Sequence, residues 1–270
     1  MTELTLDQVI SDAFKVVDVN TYKYKFSPSS LPFCPRKLSI YTYATEDIEA
    51  SYLWDYSGEF FTSLGHTIHA ITQKQLGKAG LIFGNWKCCG VTRLHQYASR
   101  CPICTEYPEY EEYHVDKQLN GIGGYVDGVL LAHNAVLEIK TKSTRVINTM
   151  TEPIWYEWTL QASVYATALN RMFGWKINKV AMLYISRENP HLRKIFIVPV
   201  IKNALDGQVA AHEYGKECVR LKVLPEGICT GPSDDNAKYC VYAPICFRPD
   251  LAKKLKLSLP ISTTVVKDTE

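Results

Sequence analysis

Three ionisable residues near the middle of the chain have the types and the spacing of a metal-dependent hydrolytic site. Glu138 and Lys140 are two positions apart in a strand-like run, so both side chains point to one face. The Ala-His-Asn segment just before this run, at 132–134, predicts a hairpin turn. In that hairpin Asp127 lies across from Lys140. By the same register, Val129 lies across from Glu138.

These three groups suit the hydrolysis of a phosphodiester. Two carboxylates and an ammonium group are costly to desolvate, and a divalent cation would offset the carboxylate repulsion. Carboxylate oxygens suit Mg²⁺ or Mn²⁺, which would polarise a scissile phosphate and lower the pKa of a bound water. Lys140 would orient that water or stabilise the charge on the phosphorane. A surface ion cluster on a half-exposed strand is the alternative interpretation.

Two helical patterns lie on either side of this centre. His69 follows Gly65 by four residues and could supply a nitrogen ligand; its alternative is an ordinary helical histidine. Gln161 and Tyr165 are also four residues apart, so they share one helix face. That face could hold a DNA phosphate or base, and ordinary packing is again the alternative.

Residues 84–106 show neither a clear strand period nor a clear helix period, and they read as a small inserted module. Their four cysteines are Cys88, Cys89, Cys101 and Cys104. The two-residue gap in Cys-Pro-Ile-Cys lets both sulfurs reach one tetrahedral zinc ion, and a segment this short and polar needs a metal to hold it together. Adjacent cysteines seldom both bind one ion, so His95 could replace Cys88 or Cys89. The alternative is a flexible loop with reactive thiols.

The bulk composition limits the class of protein. With 46% hydrophobic and 21% charged residues among 270, the chain reads as an ordinary soluble globular protein. A net charge of +2 is too small to indicate nucleic-acid binding by itself. We expect neither a signal peptide nor a membrane-spanning helix. Nine cysteines, an odd number, then favour metal ligation in a reducing compartment over a disulfide framework.

The hydrophobic pattern predicts an α/β fold with a mixed sheet, because helices and strands alternate after a helical N-terminal part. Predicted helices cover 3–17, 57–78, 154–172 and 201–222, and a further helical segment starts at 34. Predicted strands cover 109–119, 122–131, 135–143, 179–187 and 193–200.

Four segments occur in the order and approximate spacing of the motifs of the RecB-like PD-(D/E)XK nucleases, a family that the chain resembles. They are GHTIH at 65–69, GGYVDG at 123–128, LEIKTKS at 137–143 and QASVY at 161–165. CPRK at 34–37 and the C-terminal cysteines resemble its iron–sulfur subgroup, which includes CRISPR-associated spacer-trimming exonucleases, AddB nuclease domains and phage relatives. The resemblance covers 34–246 apart from the insert. It implies one nuclease domain over 1–270, with a mixed central sheet flanked by helices.

The resemblance assigns roles to the central residues. It implies that His69, Asp127 and Glu138 bind Mg²⁺ or Mn²⁺, that the carbonyl of Ile139 completes the coordination, and that Lys140 assists the water. His66 competes with His69 for the nitrogen ligand, although the Gly-x3-His spacing favours His69.

The same resemblance implies contacts with DNA. Gln161 and Tyr165 match the motif implicated in DNA contact, with Tyr165 stacking on a base. The connection between the central strand and their helix carries Lys142 and Arg145, two cations suited to phosphate contact.

The iron–sulfur subgroup ligates a 4Fe–4S cluster with one N-terminal and three C-terminal cysteines. By position these are Cys34, Cys229, Cys240 and Cys246, so the segment 223–248 would join Cys34 and staple the two ends of the chain around the core. The five residues between Cys240 and Cys246 fit the subgroup, whereas the gap after Cys229 is longer than usual. Cys218 is therefore a substitute for Cys229. Zinc, or no ligation at all, is the alternative.

We therefore expect a Mg²⁺/Mn²⁺-dependent deoxyribonuclease, an exonuclease on single-stranded DNA or DNA ends. Its expected setting is replication, recombination or repair in the cytoplasm of a bacterium or phage-infected host, alongside the protein partners of those processes. One alternative is a structure-specific endonuclease. Another is a non-catalytic DNA-binding or scaffold subunit, but the intact Asp127, Glu138 and Lys140 argue against it.

Overall fold

The computed structural model describes the greater part of the chain, and all structural statements below concern that part. The described residues are 18–21, 34–37, 39, 51–54, 56–95, 100–116, 121–154, 156–234, 237, 240 and 246–247. The helix predicted over 3–17 lies outside them.

The described elements confirm the predicted α/β class. The strands are β1 Asp18–Thr21, β2 Ser51–Trp54, β3 Gly84–Cys88, β4 Val91–His95, β5 Glu109–Glu111, β6 Tyr113–Val115, β7 Gly124–Val126, β8 Gly128–Leu130, β9 Ala135–Lys142, β10 Lys179–Ser186 and β11 Arg193–Pro199. The α-helices are α1 Tyr56–Lys78, α2 Thr144–Thr149, α3 Tyr156–Phe173 and α4 Ala204–Arg220.

The largest sheet has four strands in the order β11-β10-β9-β8 and is mixed. β9 runs parallel to β10, whereas β8 and β11 are antiparallel to their neighbours. The first five residues of β9 are buried, as expected of a central strand covered on both faces.

The two faces of this sheet pack on different helices. Leu137 and Ile139 of β9 join a buried cluster with Trp86 of β3, and Ile68 of α1 packs against it. Glu138 and Lys140 alternate with them and so lie on the other face, where α3 packs against β9 and β10. The strand that carries Glu138 and Lys140 is thus enclosed between α1 and α3.

The predicted hairpin register between β8 and β9 is wrong by two residues. Val129 pairs with Val136, not with Glu138, and Gly128 pairs with Leu137. Asp127 therefore falls level with Glu138 and not with Lys140. The cause is the turn: Leu131–His133 form a 3-10 helix and Asn134 takes a left-handed conformation at φ 52°. A shift of two residues keeps every side chain on its face, so the predicted clustering survives the error.

The insert is more regular than the sequence indicates. β3 and β4 form a hairpin, and β5 pairs with the other edge of β3. Cys89 and Gly90 join the hairpin strands and both have positive φ, as a type I′ turn requires. Because every residue of β4 is exposed, the hydrophobic alternation that reveals a strand is missing there.

The chain divides into two compact units. The first comprises 1–17, 26–29 and 54–208, and it holds the four-stranded sheet with α1 to α3. The second comprises 18–25, 30–53 and 209–270, so Cys34 and the predicted cysteine segment 223–248 belong to one unit. There Arg36 donates from Nε to the carbonyl oxygen of Pro225 at 2.7 Å.

Candidate functional site

His69, Glu112 and Asp127 converge in the first unit and form a group that could hold a metal ion. One ligand atom from each lies within 4.8 Å of the other two, and all three residues are partly buried. His69 Nδ1 is 3.6 Å from Asp127 Oδ1. The two carboxylates suit Mg²⁺ or Mn²⁺, whereas the imidazole nitrogen is a donor typical of transition-metal sites.

Both carboxylates occupy places where a strand is interrupted. The predicted strand 109–119 breaks at Glu112, between β5 and β6, and the predicted strand 122–131 breaks at Asp127, between β7 and β8. Asp127 is fixed at its break by Ile139, whose backbone N–H donates to Oδ2 at 2.6 Å. The hydroxyl of Tyr110 also donates to the carbonyl oxygen of Asp127, at 3.0 Å.

Gln73 holds the two acidic residues together. It lies one helical turn after His69, and only 5% of it is exposed. Its Nε2 donates to Glu112 Oε1 and to the carbonyl oxygen of Asp127, each at 2.9 Å. Sequence reasoning missed both Gln73 and Glu112. The spacing of Gln73 from His69 was a usable signal, whereas nothing local distinguished Glu112 from its acidic neighbours.

Glu138 and Lys140 form a hydrogen-bonded ion pair on β9. Glu138 is 1% exposed. Burial raises the pKa of Glu138 to about 7, although Lys140 pulls that pKa down, and Asp127 raises it further. Burial lowers the pKa of Lys140, but Glu138 and Asp127 together outweigh burial and leave that pKa above its usual value.

The electrostatics connect the ion pair with the His69 group. The pKa of Glu112 is raised, first by burial and then by the charge of Asp127. Asp127 acts in the same way on Glu138. Three carboxylates therefore share one poorly hydrated region, and a bound cation would offset their repulsion.

Tyr165 lies in the interior beside these carboxylates. It is 2% exposed. Burial raises its pKa, as do Glu138 and Asp127, while a hydrogen bond with Gln161 opposes the rise. The predicted pair Gln161 and Tyr165 therefore adjoins the acidic centre, but the buried ring offers no open face to a base, and its predicted stacking role gains no support.

The predicted phosphate-contacting cations lie where β9 ends. Lys142 places its Nζ 4.5 Å from the centroid of the Trp158 ring, and Lys140 Nζ is 5.4 Å from the same centroid. Arg145 is exposed on α2. The basic side chains thus continue outward from the ion pair.

The insert brings its four cysteines into one group, with all sulfur atoms within 4.8 Å of one another. Cys88 Sγ lies 3.2 Å from Cys104 Sγ and 3.7 Å from Cys89 Sγ. Cys89 Sγ is 3.8 Å from Cys101 Sγ. The positive-φ turn at Cys89 lets the two adjacent cysteines reach the same point. These cysteines could bind a metal.

His95, which we expected as a substitute ligand for this metal, stands outside that group. Its backbone carbonyl oxygen instead accepts a hydrogen bond from Trp86 Nε1 at 3.1 Å. At the other end of the insert, the backbone N–H groups of Cys104 and Ile103 lower the pKa of Cys101 to about 6. The lowered pKa favours the thiolate at Cys101, the form that binds metal, whereas hydrogen bonds with Cys104 raise the pKa of Cys88 and of Cys89.

The other predicted cysteine set lies in the second unit. Burial raises the pKa of Cys246 to about 12, the charge of Arg36 opposes the rise, and the thiols of Cys240, Cys34 and Cys229 add to it. Among the described residues their sulfur atoms do not form a group within 4.8 Å of one another. Cys218 is 6% exposed and hydrogen-bonds with Tyr214 of α4.

Comparisons with protein-family models, curated proteins and solved structures gave no match to this chain. Of the helices that the structure describes, none combines the length and apolarity needed to cross a bilayer. The function must therefore be inferred from the site itself.

Proposed function

We propose that the chain is a divalent-metal-dependent nuclease of the PD-(D/E)XK type that hydrolyses DNA phosphodiester bonds. One observation carries the proposal: the group of His69, Glu112 and Asp127 lies in electrostatic contact with the buried pair of Glu138 and Lys140. An ordinary structural ion pair has no need of three further ionisable groups that share its poorly hydrated surroundings.

The residues present fit Mg²⁺ or Mn²⁺. His69, Asp127 and Glu112 would hold the ion, and Glu112 is an acidic ligand that the sequence did not suggest. Glu138 stands outside that group and hydrogen-bonds with Lys140, so its predicted role as a ligand, like that of the Ile139 carbonyl, remains part of the proposal. When bound, such an ion polarises the scissile phosphate and acidifies a water molecule.

The chain's own groups would do the remaining work. Lys140 orients the attacking water and stabilises charge on the phosphate. Gln73 and Tyr110 fix the backbone of Asp127, so its carboxylate keeps one position during the reaction.

The preferred substrate is single-stranded DNA or a DNA end, and the activity is exonucleolytic. The basic side chains of the partly buried Lys140 and Lys142 and of the exposed Arg145 support binding of a phosphate backbone. We place this activity in replication, recombination or repair in a bacterial or phage-infected cytoplasm. The intact ion pair beside two further carboxylates disfavours a non-catalytic scaffold, since a cluster of buried charges is costly to keep.

We further propose that the insert binds zinc. A tetrahedral ion with Zn–S bonds of about 2.3 Å separates its sulfur ligands by about 3.8 Å. The distances from Cys89 Sγ to Cys88 Sγ and Cys101 Sγ, 3.7 and 3.8 Å, fit that separation, whereas Cys88 Sγ and Cys104 Sγ, at 3.2 Å, lie closer together than a bound ion would hold them. His95 is not needed for a complete set of four ligands.

For Cys34, Cys229, Cys240 and Cys246 we propose a 4Fe–4S cluster. Several iron and sulfide atoms lie between the thiolates of such a cluster, so its ligands stand farther apart than those of a single ion. The four sulfur atoms, all in described residues, form no group within 4.8 Å of one another, which fits a cluster better than a single ion. The cluster would join segments from the two ends of the chain and stabilise the second unit by closing a long loop.

The nuclease proposal is tested by incubating the full-length protein with linear DNA labelled at the 5′ or the 3′ end and with closed circular DNA. We expect Mn²⁺-dependent release of short products from linear DNA, no cutting of the circle, and inhibition by EDTA. Cutting of the circular DNA would indicate an endonuclease and not an exonuclease. Absence of cleavage with every substrate, in Mg²⁺ and in Mn²⁺, would reject the nuclease.

A further inference from the structure

Two basic residues, Lys142 and Arg187, lie at the carboxyl ends of the parallel strands β9 and β10. Lys142 and Ser186 are partners in the strand register, and the backbone N–H of Arg187 donates to the carbonyl oxygen of Lys142 at 3.0 Å. Burial lowers the pKa of Lys142, and the nearby charges of Arg187 and Lys140 lower it further. Positive side chains at the same end of the sheet favour an anionic ligand there.

Each of these cations is also placed against an aromatic ring. The guanidinium carbon of Arg187 lies 4.4 Å from the centroid of Phe61 on α1, and Lys142 lies over Trp158 on α3. Phe61 is 48% exposed, a high value for so large an apolar side chain. Flat rings beside basic side chains are the means by which proteins hold unpaired bases and their phosphates.

Arg187 has an unmet hydrogen-bonding requirement. Its Nε is buried and has no hydrogen-bond partner in the part of the chain that the structure describes. A buried donor without an acceptor costs free energy, and an anionic oxygen beside the Arg187 guanidinium would supply the acceptor.

We propose that Arg187 and Phe61 bind one nucleotide of single-stranded DNA next to the catalytic centre, the guanidinium on a phosphate and the ring on a base. The proposal rests on the nuclease function and names the strand contact that the sequence did not reveal. Lys142 stands two strand positions beyond Lys140, about 7 Å along β9, which is close to the spacing of neighbouring phosphates in an extended strand. Bases paired within a duplex are stacked on one another, so the Phe61 ring selects unpaired DNA.

Binding is measured with the full-length protein in Ca²⁺, by fluorescence anisotropy with a labelled single strand and with the same sequence as a duplex. Arg187→Ala and Phe61→Ala should each weaken single-strand binding by about 5- to 10-fold and leave duplex binding unchanged. Arg187→Ala should also reduce the salt slope by about 0.7, as expected for one lost phosphate contact. Phe61→Leu retains the apolar packing and removes the aromatic face, so it tests stacking without loss of the fold.

Two matched controls separate this contact from general surface effects. Arg171→Ala removes an exposed arginine of α3 that pairs with Asp206, and Ile71→Ala removes a 57% exposed side chain of α1. Both should bind the single strand like the wild type. The proposal would be overturned if Arg187→Ala and Phe61→Leu both bind the single strand within twofold of the wild-type affinity. Equal losses of affinity for single strand and duplex would also overturn it.

The nuclease function is judged separately, by Mn²⁺-dependent cleavage with the wild-type protein. If the wild type cleaves DNA and the variants bind with unchanged affinity, the proposed contact is rejected and the proposed nuclease function is retained. If the wild type binds single strands through Arg187 and Phe61 but cleaves no substrate, the proposed contact is retained and the proposed nuclease function is rejected.

Discussion

The carboxylate of Asp127 is anchored on the backbone of Ile139, which donates its N–H to Oδ2 at 2.6 Å. The interruption between β7 and β8 makes this possible, because the carboxylate takes the place of a ladder carbonyl. The other oxygen, Oδ1, is the one that faces His69 at 3.6 Å. One residue thus connects the helix α1 to the strand that carries Glu138 and Lys140.

Loss of the central charged groups should abolish cleavage. Asp127→Ala, Glu138→Ala and Lys140→Ala should each lower the rate by at least about 100-fold, because they remove metal ligands or the group that orients water. The measurement is initial-rate cleavage in Mn²⁺, with circular dichroism as the check on folding. Near-wild-type rates in any two of the three variants would contradict the assignment.

Glu112 should contribute to metal affinity. Glu112→Gln keeps the oxygen that accepts from Gln73 and removes the charge, so Mn²⁺ affinity should fall about 10-fold or more with little change in thermal stability. Isothermal titration calorimetry measures the affinity. Glu111→Gln is the matched control, since Glu111 is an exposed neighbour that pairs with Lys87. Equal affinities for the two variants would show that Glu112 is not a ligand.

Metal-free stability should fall as pH rises. The folded-state pKa of Glu138, about 7, exceeds the ordinary value of 4.5 for this side chain, so the folded state holds more protons between these values. The contribution of Glu138 to stability is therefore greatest below pH 4.5 and is lost as pH rises through 7. In EDTA, the melting temperature should drop more between pH 5 and pH 8 for wild type than for Glu138→Gln. Parallel curves for the two proteins would contradict the raised pKa. Added Mn²⁺ should raise the melting temperature more at pH 8 than at pH 6, because the ion requires ionised carboxylates.

The zinc content of the protein should depend only on the cysteines of the insert. Cys101→Ser or Cys104→Ser should release one zinc ion per chain, measured by elemental analysis, while the Mn²⁺ affinity of the acidic centre is retained. His95→Ala should keep its zinc, because His95 stands outside the sulfur group. Full zinc content in both serine variants would be incompatible with this ligand set.

Anaerobically purified protein should be brown, with the broad visible absorbance of a thiolate-bound iron–sulfur cluster. Cys240→Ser should remove the colour and lower the melting temperature, since the loop that the cluster closes is released. Cys218→Ser, which changes a buried cysteine of α4 that we assign no cluster role, should remain brown. Colourless wild-type protein that contains only zinc after anaerobic work would contradict the cluster.

The sequence predicts the elements of this fold better than their interruptions. The apolar run around Glu138 and the helical period around His69 reflect burial, and burial can be predicted from the residue types of a short segment. The strand breaks at Glu112 and Asp127 depend on hydrogen bonds from Gln73 and Tyr110, which are distant in sequence and leave no local pattern. For this reason the charged residues on β9 were predictable, and Glu112 was not.

The cysteine hairpin shows the same division. The Cys-Pro-Ile-Cys spacing indicates a metal site, since the geometry of two ligands depends on the gap between them. The adjacency of Cys88 and Cys89 gives no such indication, because their convergence depends on the left-handed backbone at Cys89. Trp86, which precedes them, is predicted as part of a separate insert but is 4% exposed in the main core.

Because of this placement of Trp86, metal binding by the hairpin should also stabilise the core of the first unit. Trp86 belongs to the central core and Cys88 to the sulfur group, yet both lie on β3, two residues apart. Gly77 leaves room for the indole, because a Cβ there would lie 1.9 Å from Trp86 Cη2. Any ion that binds only the folded hairpin would therefore stabilise the packing of α1 on the sheet as well. Chains synthesised under metal starvation should therefore accumulate poorly.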